Sequence, residues 1–255
     1  MALWVRFDQD GEIGFGTLTG EVVAVHEGDM FSDAAPTGRE VPLAHLTLLT
    51  PSVPAHFIGL WNNFHAAAEK QGNAIPAEPL YFLKGSNSLL AHGGIIRKPA
   101  HYDGRVVYEA ELGIVIGRRA RDLGETEAAA AIFGFTCVND VTALEILTRD
   151  GSFAQWTRAK SFDSFGVFGP GIATGLDPAT LTIRALINGR ERQNYPASDM
   201  IFSPSRLVSL ISRDMTLEPG DVIACGTSIG AGVMRPGTVV EIAIDGIGTL
   251  RNSFE

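Results

Sequence analysis

Val106-Val107-Tyr108-Glu109-Ala110-Glu111-Leu112-Gly113-Ile114-Val115-Ile116 is the stretch whose reading decides the fold. It is rich in β-branched residues and alternates, so it is predicted to be a strand. In a strand, residues two apart share a face at a spacing of about 6.5–7 Å. Tyr108, Ala110, Leu112, Ile114 and Ile116 then share one face, and Glu109 and Glu111 occupy the other. Two like charges side by side on an apolar strand repel and lose hydration unless a cation joins them. Spacing alone leaves two readings open: a hard divalent metal between the carboxylates, or a solvated face on an edge strand.

Working outward, Phe133-Gly134-Phe135-Thr136-Cys137-Val138 reads as a buried strand that delivers Asn139-Asp140 at its end. Asp140 is the candidate third carboxylate. Oxygen-only ligation of this kind suits Mg²⁺ or Mn²⁺, with water or substrate oxygens completing the octahedron. No His or Cys lies at zinc-like spacing, which disfavours zinc.

Composition excludes several function classes. The 255 residues, 45% hydrophobic and 19% charged, can bury one large core with a small appendage. A formal charge of −9 disfavours nucleic acid as a partner, because phosphate binding needs clustered cations. No run of some 18 apolar residues suggests a membrane partner, and Met1 to Asp8 contains no long apolar leader. Cys137 and Cys225 each sit in an apolar stretch and are expected as free buried thiols. A soluble cytoplasmic protein is the expectation.

The segments Trp4 to Phe7, Gly14 to Leu18 and Val22 to Val25 read as strands of a small β-unit, which Pro51 and Pro54 punctuate. The predicted organisation is a small N-terminal β-domain over 1–52 and a second domain over 53–255. Helices are predicted over Asn62 to Gln71 with Gly72 as the stop, over Glu125 to Phe133, and over Thr142 to Asp150. Another begins at Ser203-Pro204, where Leu207, Leu210 and Ile211 recur on one face. Asn188-Gly189 and Asp245-Gly246 are predicted as tight type I′ hairpin turns. Strands separated mostly by turns, with irregular helices, argue for α+β with a mixed sheet or β-roll and against a doubly wound order.

Several segments, taken in order, resemble the fumarylacetoacetate hydrolase family. They are Tyr108 to Leu112, Asn139 to Ala143, Gln155 to Asp163, Leu217 to Ile223, Cys225-Gly226-Thr227 and Gly246 to Asn252. The likeness runs from about residue 56 to the C-terminus, and the small β-unit before it is similar to the family's short bacterial members. The resemblance implies a β-roll catalytic domain, a homodimer, and Mg²⁺ or Mn²⁺ on Glu109, Glu111 and Asp140. It further implies a small 2-oxo or 2,4-dioxo acid substrate whose carboxylate and keto oxygens chelate the ion. A metal on the keto oxygen stabilises an enolate as a carbon–carbon bond breaks.

By the same resemblance, Lys160 points into the site, where an ammonium group stabilises developing oxyanion charge. Thr227 and the backbone around Gly226 would receive the substrate carboxylate, and Lys84 resembles a lysine near the cleft. Family hydrolases activate water with a His and a Glu three residues on. Here His65 keeps its place, but Ala68 stands at the Glu position and Glu69 comes one residue later, still on one helical face. Leu144 also replaces an arginine usual in the family, and Ser228 replaces a proline.

The expected activity is hydrolysis of a carbon–carbon bond in an acylpyruvate-like 2,4-dioxo acid, with His65 and Glu69 activating water. A 2-oxo acid decarboxylase, isomerase or tautomerase would use the same enolate without attacking water. A non-catalytic, metal-stabilised binding protein is the rival from another class.

Overall fold

The computed structural model describes all 255 residues. The chain opens with an antiparallel meander of β1 (Leu3–Gln9), β2 (Glu12–Thr19), β3 (Val22–Glu27) and β4 (Ala35–Pro42), and the short β5 (Thr47–Leu48) returns to β1. Alternation turns Val5, Phe7 and Val23 to one side, where they form a small core of their own.

Then come β6 (Phe57–Trp61), helix α1 (His65–Gln71), β7 (Leu80–Lys84), and the short β8 (Leu89–Leu90) and β9 (Ile95–Ile96). The decisive stretch forms β10 (Val106–Tyr108) and β11 (Ala110–Ile116), interrupted only at Glu109. Helix α2 (Glu125–Ala129), β12 (Ile132–Asp140), β13 (Thr142–Ala143), helices α3 (Leu144–Leu147) and α4 (Trp156–Lys160), and β14 (Gly166–Ala173) come next. The last third holds β15 (Thr182–Ile187), β16 (Arg190–Pro196), α5 (Pro204–Asp214), β17 (Val222–Ala224), β18 (Gly232–Val233), β19 (Thr238–Ile244) and β20 (Gly248–Phe254).

The architecture is one of mixed sheets with few helices. The largest sheet runs β4-β3-β2-β1-β14-β12-β11-β17-β6-β7, parallel where β17 meets β6 and where β8 joins β14. Hydrogen bonding does not stop at Pro51, because Leu3 and Trp4 pair with Ala173 and Ile172 of β14. A second sheet runs β16-β15-β19-β20-β9, and β13-β10-β18 form a third, small one. Leu112, Ile114 and Ile116 of β11 share the main core with Ile183, Ile242 and Leu250 of the second sheet. Val115 points the other way, into a core with Val138, Phe57 and Phe168. β11 lies between β12 and β17 and is no edge strand.

Most local signals are expressed in the fold. Ser203 accepts from the Arg206 amide with Pro204 in the first turn of α5, and Gly72 closes α1 at φ 69°. Asn188 and Gly189 both have positive φ, as a type I′ turn needs. The Asp245-Gly246 expectation is corrected: Asp245 has no positive φ, and the loop also includes Ile247 before β20 begins. Helix α2 stops at Ala129 instead of Phe133, because Ile132 and Phe133 join β12 and the Phe133 ring packs on Phe31 and Trp4. Only Leu144–Leu147 is helical within Thr142 to Asp150, since Thr142 and Ala143 pair with β10. No helix is long and apolar enough to cross a membrane.

Candidate functional site

Register brings the three carboxylates together. In the antiparallel pair β11–β12, Glu111 stands opposite Val138 and Ala110 opposite Asn139. One step on, the Asp140 amide donates to the Glu109 carbonyl at 2.9 Å, and the Glu109 amide donates to Asn139 Oδ1 at 3.1 Å. Opposed residues of a sheet share a face, so Glu109, Glu111 and Asp140 project to the same side. One oxygen from each lies within 4.8 Å of the others. Glu111 and Asp140 are fully buried.

Two lysines close on this cluster. Lys160, at the end of α4, donates to Glu109 Oε2 at 2.8 Å and to Asp140 Oδ2. Lys84 ends β7, where alternation buries Phe82 and Lys84 together, and its ammonium donates to Asp140 Oδ1. Thr142 Oγ1 donates to Glu109 Oε1 at 2.8 Å. Gly226, at φ 89°, sits in the left-handed region that favours glycine and directs its amide to Glu111 Oε2 at 2.8 Å. The other Glu111 oxygen, Oε1, is buried and has no partner.

The charges are consequently unbalanced. Three carboxylates face two ammonium groups, and burial pushes the Glu111 carboxyl well above the usual range, with Asp140 adding to the effect. Burial would raise Asp140 too, but Lys160 and Lys84 outweigh it and hold that carboxyl low. Lys160 is the mirror case: burial works against its charge, yet Asp140, Glu109 and Glu111 keep it above the usual lysine range. For Lys84 burial wins and lowers it, although Asp140 opposes. A buried oxygen without a partner, a surplus negative charge and an all-oxygen donor set fit a divalent cation of the Mg²⁺ or Mn²⁺ type.

A cavity of about 450 Å³ opens over the cluster, with Glu109 and Lys160 on its floor and Thr227 at its side. The Thr227 hydroxyl donates to the Ala110 carbonyl at 2.9 Å and accepts from Gln193 Nε2 at 2.9 Å. Gln193 also accepts from the Ala110 amide through Oε1 at 3.0 Å. A polar residue in the middle of a hairpin strand gave no local sign of this bridge.

Helix α1 faces the cavity with Ala67, Lys70 and Gln71. His65 and Glu69 share one side of α1, as i,i+4 spacing requires, but it is the opposite, solvent side. The structure does not bring them to the carboxylates. The helix is fixed by Asn63, which donates to the Cys225 carbonyl at 2.8 Å and accepts from the Phe202 amide at 2.9 Å. Asp199 accepts from the Ala66 amide at 3.1 Å. Leu144 lines the cavity, and neither Arg149 nor Arg158 is among the residues that line it. Glu145 turns away to Tyr102 and Arg105.

Comparison with known proteins fits this geometry. Residues 56–255 match the model of the fumarylacetoacetate (FAA) hydrolase C-terminal family, and residues 3–51 match that of an Rv2993c-like N-terminal family. Oxaloacetate tautomerase YisK of Bacillus subtilis is 34% identical over 80% of this chain and 71% of its own. A 2-hydroxyhepta-2,4-diene-1,7-dioate isomerase from Mycobacterium marinum is 35% identical, superposes with a TM-score of 0.91, and covers 100% of this chain and 98% of its own. A maleylpyruvate hydrolase from Sphingobium, in complex with manganese(II) and pyruvate, is 26% identical with a TM-score of 0.82 over 100% of this chain and 98% of its own.

Proposed function

This chain belongs to the fumarylacetoacetate hydrolase family, and from that premise we propose that it is a divalent-metal-dependent enzyme acting on a small 2-oxo acid through its enolate. The observation that carries the reading is the partnerless, buried Glu111 Oε1 in a cluster with one negative charge too many. Glu109, Glu111 and Asp140 would hold the ion. When bound, it supplies a Lewis acid for the substrate's keto oxygen.

The chain's own groups account for the rest. Lys160, kept charged by the carboxylates around it, would place a fixed positive charge beside an oxygen that gains charge as the enolate forms. Lys84 orients Asp140 from behind. The Gly226 amide fixes the Glu111 carboxylate, and Thr227 at the cavity wall would border the substrate carboxylate.

The fate of the enolate turns on α1. No imidazole lines the cavity, and His65 and Glu69 lie on the solvent side. Tautomerisation, isomerisation or decarboxylation needs no attacking water, so this geometry favours those reactions. Hydrolysis of an acylpyruvate-like 2,4-dioxo acid is the second reading, supported by the likeness to the maleylpyruvate hydrolase. Incubation of Mg²⁺-loaded protein with oxaloacetate and with acylpyruvates, followed by product separation, tests the choice. Keto–enol conversion or carbon dioxide release is expected; an acid plus pyruvate from acylpyruvates would establish hydrolysis instead.

A further inference from the structure

Beyond its charged floor, the cavity is walled by rings. Phe82 and Trp156 are stacked, with centroids 5.4 Å apart and planes 12° from parallel, and Trp61 leans on Trp156 at 5.8 Å. Two structural periodicities join this wall to the chemistry. Trp156 and Lys160 are four apart on α4, and Phe82 and Lys84 are two apart on β7. The Lys160 ammonium consequently lies 5.0 Å from the centre of the Phe82 ring. A substrate held at the carboxylate cluster would extend along the rings at once.

The same rings form the wall of a neighbouring cavity of about 540 Å³, lined also by Leu80 and Tyr81. Trp61, although it leans on Trp156, remains 38% exposed, a large apolar surface still open to solvent. Leu144 and Leu147 stand among the other side chains lining the first cavity, and the one charged side chain beyond the floor is Lys70, which is exposed at the rim. An apolar pocket of about 150 Å³ suffices to take a benzene ring, so room is ample.

Resting on the metal-dependent 2-oxo acid reading above, we propose that Trp61, Phe82 and Trp156 form the specificity-determining subsite for the far end of the substrate. They select a 2-oxo acid whose distal group is planar and uncharged, an aryl or conjugated chain, over one that ends in a second carboxylate. Aromatic faces gain most from a flat partner stacked on them, and an anionic terminus in this part of the cavity would meet the negative faces of the rings. Leu144 and Leu147 act in the same sense by adding apolar surface to this cavity.

Oxamate presents the carboxylate and adjacent carbonyl of a 2-oxo acid, and substituents on its nitrogen extend into the cavity. Calorimetric titration of the Mn²⁺-loaded full chain with oxalate, oxamate, N-phenyloxamate and N-oxalylglycine tests the subsite. N-phenyloxamate is expected to bind about tenfold or more tightly than oxamate, from burial of one ring, while N-oxalylglycine gains nothing. Trp156→Leu is expected to bring the ratio of N-phenyloxamate to oxamate affinity down to about twofold or less. Because Trp156 shares α4 with Lys160, Trp61→Ala serves as the second variant and should lower the same ratio. Oxalate binding with no gain from the phenyl group, a gain untouched in both variants, or tighter binding of N-oxalylglycine than of N-phenyloxamate would overturn the subsite alone. Failure of oxalate to bind would overturn the proposed function, and the subsite with it.

Discussion

The Gly226 amide holds one oxygen of Glu111 at 2.8 Å and leaves the other buried without a partner. A hydrogen bond from a backbone amide fixes where the carboxylate points, but it does not remove the cost of a buried charge. In the proposed metal site Glu111 would be a preoriented ligand whose charge a cation stabilises against burial, so its substitution probes metal binding and enolate chemistry alike.

Substituting Glu111→Gln removes that charge and keeps the shape. In metal-free protein the variant is expected to be as stable as the parent or more so, because burying an amide costs less than burying an anion. Mn²⁺ should stabilise only the parent, by about 2.7 kcal/mol at a hundredfold excess over Kd, or a rise in Tm of very roughly 5–10 °C for a chain of this size. Thermal unfolding with and without Mn²⁺ measures both. An equal rise in the two proteins would count against Glu111 as a ligand.

Lys160→Met separates charge stabilisation from metal binding. Loss of a preorganised positive charge beside a developing oxyanion is expected to lower turnover about 100-fold or more. The affinity for Mn²⁺ should be retained or improved, since the ammonium competes for Glu109 and Asp140. Full turnover in the variant would remove Lys160 from the mechanism.

Asn63 ties the start of α1 to the strand end that carries Gly226. Asn63→Ala leaves the Cys225 carbonyl and the Phe202 amide without their partner in a buried setting, at a cost of about 1–3 kcal/mol for each unsatisfied group. Urea unfolding should register the loss, together with weaker Mn²⁺ binding as the Gly226 loop loosens. A change below about 0.5 kcal/mol, the scale of ordinary surface substitutions, would contradict the anchoring role.

Much of this arrangement could be read from residues alone. Alternation over Val106–Ile116 assigned the strand and the face that meets the main core, because period-two side-chain direction is a local property; that the other face is buried as well is not. The Ser203-Pro204 start of α5 and the Asn188-Gly189 turn are equally local. That Asp140 meets Glu109 depends on register between two strands; its place at the end of a predicted buried strand made it a candidate, and the family resemblance implied it as a ligand with Glu109 and Glu111. The bridges of Gln193 and Asn63 depend on tertiary placement of ordinary polar residues and left no mark in the sequence. The direction of His65 was hidden for a related reason. Its helix is too short for its own pattern to decide, and burial of Ala67 and Ala68 sets which side turns inward.

Near the cavity, Glu145 receives the Tyr102 hydroxyl and, at 2.6 Å, Arg105 Nε. The Tyr102 hydrogen bond first, then that from Arg105, brings the Glu145 carboxyl down to about 2. A carboxyl lowered in the folded state stabilises the protein above its unfolded pKa, and that share is lost as pH falls through about 2. Glu145 is 40% exposed, so the contribution is screened and about 1 kcal/mol or less. Glu145→Gln is expected to be less stable than the parent at pH 7 and to converge with it toward pH 2. Parallel stability curves across that range would refute the assignment.

The most direct test of enolate chemistry at this site is hydrogen–deuterium exchange at the carbon next to the keto group of a 2-oxo acid, followed by proton NMR in D₂O. It detects the enolate whatever becomes of it later. Mg²⁺-loaded protein is expected to accelerate exchange on oxaloacetate or an acylpyruvate well above buffer with free Mg²⁺, and chelation or Glu111→Gln should abolish the acceleration. Exchange no faster than in buffer, or acceleration that survives both chelation and the substitution, would contradict a metal-dependent enolate at Glu109, Glu111 and Asp140.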